Sequence, residues 1–285
     1  MTTPDESLPH PLELYRWAVQ DPLTQARVLD RIHRLALPES APPTRLREDF
    51  AGNCADSVAW IALGREREAL AVDLDAAALA WGRTRAQRLL GDEAAHRLRV
   101  EASDVLKIAP PAVEPAHLLA ALNFSLFYFH TRKRLGEYLA HARRCLDPDR
   151  GVLIANAFGG PASLLARRDT QRIADRIGHP GETPPAPFDY QWEQGDHDAV
   201  SGRAECRIHF HGLADGRSLR DAFVYPWRLW TLPELVELAH EAGFTRVEVW
   251  RHTYDAARGA AGVFLGPVKQ IVGLDTWVAY LVAAP

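Results

Sequence analysis

Cysteine is scarce in this chain: Cys54, Cys145 and Cys206 are too few and too scattered to frame a disulfide scaffold or a Cys-x-x-Cys metal knuckle. No apolar run approaches the ~20 residues that cross a bilayer, so no membrane partner is expected. The opening stretch, MTTPDESLPHPLELY, lacks a basic region followed by an apolar one. No secretory signal is visible there, and a cytoplasmic location is expected. Basic residues do not outnumber acidic ones: 33 stand against 37, a formal charge of −4, which argues against a dedicated nucleic-acid binder. Lysine occurs only at Lys107, Lys133 and Lys269. The glycine-rich signatures are missing too: GxxxxGK[ST] for triphosphates, GxGxxG for dinucleotides and GxSxG for serine hydrolases. His209 and His211 share a strand face near Glu205 and Cys206, but no third ligand follows at a characteristic spacing, so no metal is expected.

What remains is a chain of 285 residues, 47% apolar and 25% charged, the balance of an ordinary globular protein. Its pattern is regular. Apolar spacing is helical from Leu12 to about Leu37, with a break near Pro22. Glu39–Arg45 is a Pro-rich hinge. Strand-like runs at Arg45–Phe50, Ala69–Asp73, Arg97–Ser103, Ala116–Asn123 and Gly151–Ala157 then alternate with helical ones at Cys54–Leu63, Asp75–Leu90 and Thr131–Leu146. Such alternation specifies an α/β fold with a doubly wound, mostly parallel sheet.

After the loop GHPGETPPAP the rhythm changes to three strand-like runs, Tyr190–Gln194, Ala204–His211 and Ser218–Tyr225, with Asp215-Gly216 as a turn signal. A helix follows, opened by the capping box Thr231-x-x-Glu234 and stopped at Gly243. Phe244–Trp250 and Thr276–Val282 read as closing strands. The expected divisions are a helical lid (1–43), a core (44–177), an antiparallel β insert (178–229) and a completion of a seven-stranded core sheet (230–285).

In a doubly wound sheet, ligands bind beyond the carboxyl ends of the strands, where strand order reverses. The first strand–helix turn reads Arg47-Glu48-Asp49-Phe50-Ala51-Gly52-Asn53-Cys54. It places acid immediately before a close backbone approach at Gly52. Such acid repels a pyrophosphate and attracts an ammonium group. The second strand ends at Asp73, placed to accept hydrogen bonds from ribose hydroxyls. The third ends near Asp104, within reach of an adenine amino group. Three acids at three successive strand ends suit a ligand with a ribose, an adenine and a cation, without phosphates.

These residues resemble the class I S-adenosylmethionine-dependent methyltransferases over about Leu46–Ala157 and again over Trp230–Ala283. The resemblance implies a Rossmann-like core and S-adenosyl-L-methionine as cofactor. It puts Glu48 at the acid of the motif D/E-x-G-x-G-x-G, with Gly52 as the middle glycine and Phe50 and Cys54 in place of the outer two. It makes Asp73 the ribose acid, sets Leu74 against the adenine and gives Asp104 and Val105 the adenine edge. Asn123 falls where the family lines the methyl-transfer centre, and Leu146-Asp-Pro-Asp-Arg-Gly151 resembles the loop into the fifth strand. Tyr15, with Gln20, would fold over the methionine end.

For the acceptor, residues 190 to 230 hold five of the chain's fifteen Trp and Tyr. Tyr190 and Trp192 share a strand face, as do Tyr225 and Trp227, which suggests an aromatic roof over an acceptor pocket. Arg228 is suited to gripping a carboxylate. Asn123, Tyr128 and His130 are the candidate catalytic groups, His130 as a proton acceptor. The expected activity is N- or O-methylation of a small molecule bearing an amine or a carboxylate. Two alternatives stay open: a non-catalytic cofactor-binding protein, motivated by Phe50 and Cys54, and a nicotinamide-dependent oxidoreductase.

Overall fold

A computed structural model describes residues 9–174, 176, 178, 181–254 and 263–285. The five expected core strands form: β1 (Arg45–Asp49), β2 (Glu68–Asp73), β3 (Leu98–Ala102), β4 (Leu118–Ala121) and β5 (Val152–Gly159). All pair in parallel, in the order β3-β2-β1-β4-β5. Strand order therefore reverses between β1 and β4.

Along β4 and β5 alternate residues serve opposite faces. Leu119, Ala121, Leu153 and Ala155 join the core under the helices Arg132–Cys145 (call it α5) and Leu232–Glu241 (α6). Leu118, Ala120, Val152 and Ile154 join the other, under the helices Pro22–Ala36 (α2), Ala55–Ala62 (α3) and Ala76–Ala95 (α4). Burial on both faces explains why these strands read as continuous apolar runs.

The helix boundaries follow their local chemistry. Asp21, Asp75 and Thr131 each accept a hydrogen bond from a first-turn backbone N–H, and the Thr231–Glu234 capping box is present in both directions. Helix α4 runs past the expected Leu90, but only across a break at Gly91, whose φ is 74°.

The sheet has eight strands rather than the seven expected. Three antiparallel strands extend it beyond β5 in the order β12 (Trp277–Ala284), β10 (Arg246–Tyr254) and β11 (Val263–Pro267). The extra one, β11, has Gly266 and Pro267 in a five-residue run, a composition that hides a strand.

The insert also starts earlier than 178. Its first strand, β6 (Arg167–Ile173), pairs with β7 (Phe188–Gln194), followed by β8 (Arg203–His211) and β9 (Leu219–Arg228). Six of the seven β6 residues are exposed, so no apolar alternation marks it. Strand β9 continues through Pro226 to Arg228. It is an edge strand, where a missing N–H is tolerated.

Two buried ionic contacts fix these parts. On β1, Arg47 Nε donates to Asp49 Oδ1 at 2.7 Å with both side chains out of water. The rest of the guanidinium donates to the Val105 carbonyl at 2.8 Å and to Cys145 Sγ at 3.1 Å, while the Tyr138 hydroxyl donates to Asp49 Oδ2 at 3.1 Å. The second contact joins the insert's loop to the lid. Glu182 accepts from Arg16, on the helix Pro11–Val19 (α1), at 2.8 Å and from Arg85 on α4 at 2.8 Å, all three nearly fully buried.

Removing one member of a buried charge cluster leaves the others unpaired, at about 3–5 kcal/mol. Glu182→Gln is therefore expected to destabilise the protein by about 3 kcal/mol in urea unfolding and to expose α1 to limited proteolysis. Wild-type stability would show that the cluster does not hold the lid.

Candidate active site

The crevice at the β1–β4 reversal opens into a cavity of about 610 Å³. Its wall begins at the first turn, where the backbone is left-handed at alternate residues: Phe50 (φ 60°), Gly52 (49°) and Cys54 (56°). Phe50 and Cys54 thus take the conformation that glycine would provide without strain, at a cost on the order of 1–3 kcal/mol each. Packing offsets it. The Phe50 ring lies 5.8 Å from Phe129 and 5.6 Å from Tyr138, centre to centre. Cys54 is fully buried, and a Cβ added at Gly82 of α4 would meet its Sγ at 2.9 Å and the Asn53 carbonyl oxygen at 2.5 Å. Gly82 is what lets α4 approach this turn.

The turn is tied to β2 by its acid. Asp73 Oδ2 accepts from the Gly52 N–H at 2.7 Å, and its Oδ1 from the Asp75 N–H at 2.9 Å. Asp73, Leu74, Asp104 and Val105 all line the cavity, with Leu74 78% exposed at the rim. Asp104 Oδ1 also accepts from the Leu106 N–H at 3.0 Å, which fixes the short turn it opens. Arg134 is the one arginine in the lining among the described residues, and Glu137 pairs with it at 2.8 Å. From the lid come Leu12, Tyr15 and Gln20, and Gln20 Oε1 accepts from Asn53 Nδ2 at 3.0 Å.

Glu48 does not reach this cavity. Both its charge and that of Asp49 turn inward: Glu48 Oε2 accepts from the Ser57 N–H at 2.9 Å and from the Ser57 hydroxyl, behind the wall. Burial, with the Asp56 carboxylate facing it, raises the Glu48 carboxyl well above its usual range.

A second cavity of about 410 Å³ adjoins the first, and Tyr15, Asn123 and Tyr225 line both. Asn123 (φ 53°) and Phe124 (φ 62°) form a left-handed pair just beyond β4. The Phe124 N–H donates to Asn156 Oδ1 on β5 at 2.9 Å, which holds the pair in place. Tyr190, Trp192 and Trp227 face the second cavity from the insert, with Tyr225 and Trp227 stacked at 4.6 Å.

Arg228 does not join them. Strand alternation puts it on the face opposite Trp227, where its guanidinium lies 3.7 Å from the Trp230 ring centre and 3.5 Å from Glu234. It lines a separate groove of about 1050 Å³.

The candidate proton-handling groups sit at the first cavity. Tyr128 lines it, its phenol pushed up to about 12 by burial. His130 lines it with Nε2 bonded to the Pro226 carbonyl, so that nitrogen is the donor. Reading from the sequence missed Ser125, whose buried hydroxyl lines the first cavity with no hydrogen-bond partner. It also missed Phe124, Phe158, Trp277 and Arg251 of the second. Arg251 and Trp277 lie on the closing strands, where no motif marks them.

Among the described residues, no group of three or more His, Cys, Asp or Glu could hold a metal ion, and no helix is long and apolar enough to cross a membrane.

No protein-family model and no curated protein matches the chain. Solved structures do. The CcbJ methyltransferase from Streptomyces caelestis is 15% identical over 98% of this chain and 99% of its own, with a TM-score of 0.60. CalS10, an amino pentose methyltransferase from Micromonospora echinaspora solved with S-adenosylmethionine, is 15% identical over 95% and 94%, at 0.63. DesVI from Streptomyces venezuelae is 14% identical over 95% of each chain, at 0.66. The chain has the class I methyltransferase fold. In that fold the sheet reversal, the first turn and Asp73 stand together at one cavity, as the motif spacing indicates.

The buried acids make stability depend on pH. Asp56, at the start of α3, is pushed up to about 7 by burial, against the pull of Arg16 and Arg85. An acid whose pKa is raised on folding binds extra protons in the folded state. Its stabilising contribution is complete below the unfolded value, near 4, and is lost as pH rises through about 7. Asp56→Asn is expected to raise Tm at about pH 8 by several degrees and to flatten its fall from about pH 5, read by scanning calorimetry. An unaltered pH profile would remove Asp56 as the cause.

Proposed function

We propose that this protein is an enzyme transferring a methyl group from S-adenosyl-L-methionine to a small-molecule acceptor. The observation that carries the reading is the pair of adjoining cavities sharing Tyr15, Asn123 and Tyr225, one rimmed by strand-end acids and the other by aromatic rings. The first fits a cationic nucleoside without phosphates. Asp73, Asp75 and Asp104 line it, Arg134 in its lining is already paired with Glu137, and the buried Ser125 hydroxyl has no partner among the described residues. A solved neighbour of the same fold, CalS10, carries S-adenosylmethionine.

When bound, the cofactor supplies a methyl carbon already activated by a sulfonium. The chain's own task is to position and to exclude water. Asp73 would hold the ribose hydroxyls, Ser103, Asp104 and Val105 the adenine edge, and Leu12, Tyr15 and Gln20 would close over the methionine end. Asn123, fixed by its strained backbone, would orient the reacting atoms at the junction. The acceptor's lone pair forms the new bond to carbon as the sulfur–carbon bond breaks, and that electron pair returns to sulfur. The Tyr128 and Tyr190 phenols, both pushed up to about 12, are protonated at neutral pH, so neither serves as a base there. His130 Nε2 is committed to a carbonyl. The acceptor's proton would go to His130 Nδ1, the nitrogen left with a lone pair, or to water.

The competing non-catalytic reading rested on Phe50 and Cys54. Because both take the left-handed backbone that glycine would, the first turn keeps its course.

Titration calorimetry with S-adenosylhomocysteine on the pure protein tests the cofactor. Binding is expected, weakened at least ~10-fold in Asp73→Ala, the loss of a charge-assisted hydrogen-bond pair. No binding to the wild type defeats the proposal.

A further inference from the structure

The second cavity has a composition of its own. Among the described residues its lining carries a single charged side chain, Arg251 on β10, and no carboxylate. Aromatic rings make up most of the rest, with Trp192, Trp227, Trp277, Phe124 and Phe158 joined by three tyrosines. Two of its buried polar atoms, Arg251 Nε and Trp227 Nε1, have no hydrogen-bond partner, and both are donors. Trp227 is only 2% exposed. Its indole N–H is thus withdrawn from bulk water and satisfied by no described residue. Buried donors left unpaired are costly, and their presence in a cavity marks where a ligand's acceptor atoms belong.

The signs matter for the ligand. A cationic amine would gain from the aromatic faces but would meet a guanidinium and, among the described residues, find no carboxylate. A polyhydroxylated sugar could accept from these donors but carries no negative charge to match the guanidinium. A flat ring carrying a carboxylate satisfies both features: the ring stacks on the indoles and the carboxylate takes the charge-assisted bond to Arg251. The volume of about 410 Å³ lies at the small end of ligand pockets, which suits one substituted ring.

We propose that the second cavity binds a planar aromatic acid through Arg251 and the indole N–H of Trp227. This rests on the methyl-transfer reading and names its acceptor: an aromatic acid whose ring hydroxyl or amino group points to the junction at Tyr15, Asn123 and Tyr225. That group's lone pair forms the bond to the methyl carbon, the sulfur–carbon bond breaks with its electrons going to sulfur, and the group's proton passes to His130 Nδ1 or to water. Arg251 grips the far end and takes no part in the bond changes.

Calorimetry on the full chain tests this with 4-hydroxycinnamate, 4-hydroxybenzoate and 4-aminobenzoate, each against its neutral carboxamide, in the presence of S-adenosylhomocysteine. At least one acid is expected to bind ~10-fold tighter than its amide. Arg251→Met should abolish that preference and Arg251→Lys retain part of it, with S-adenosylhomocysteine affinity unchanged in both, which also certifies their folding. Amides binding as well as acids, no binding by any acid, or a preference that survives Arg251→Met each overturn the proposal. If the wild type fails to bind S-adenosylhomocysteine, the methyl-transfer reading falls. If it binds the nucleoside but shows no preference for acids, only the assignment of the acceptor falls.

Discussion

Arg47 and Asp49 stand two residues apart on the same face of β1, where neither reaches water, and the first cavity is built above them. A lone charge in that place would cost several kcal/mol, and the pair is tolerable only because its remaining donors and acceptors are met. Meeting them ties the end of β1 to Val105 in the turn after β3 and to Tyr138 and Cys145 of α5. Those same segments line the cavity at Val105 and support the Phe50 ring through Tyr138. The ion pair therefore sets the distance between strand ends that a nucleoside would have to span.

This also explains where sequence reading succeeded and where it did not. Strand–helix alternation, the caps at Thr131 and Thr231 and the acid at Asp73 were legible, because each follows from local chemistry or from a fixed place in the winding. Glu48 and Asp49 were not. A strand-end acid looks the same whether it faces a ligand or the protein's own donors, and here Ser57 and Arg47 claim the two. The clue was Arg47 itself, a charge in the middle of a strand otherwise buried on both faces. Arg228 misled for a related reason. Its neighbour Trp227 faces the cavity, and alternation alone puts the next residue on the other side.

The residues that escaped reading altogether, Arg251 and Trp277, belong to strands that close the sheet from the far end of the chain. Nothing in their immediate sequence marks a site. They meet the insert only because β12 runs antiparallel beside β5 and brings Trp277 opposite Gly159. That glycine admits the indole: a Cβ there would lie 2.3 Å from the ring. A small residue at a strand end and a large one more than a hundred positions later together make one wall.

Glu182 has a further meaning once its two arginines are considered as parts of different bodies. Arg16 belongs to the lid, Arg85 to the core, and the carboxylate to the loop leading into the roof. Lifting α1 alone would leave Glu182 paired with Arg85 only and take Arg16 from its carboxylate, and lifting the insert's loop alone would leave two guanidiniums without theirs. Any separation of the three segments breaks at least one of the two buried ion pairs. A single carboxylate thus latches three segments at once, and the strength of that latch is shared between the first helix, the fourth helix and the approach to the insert.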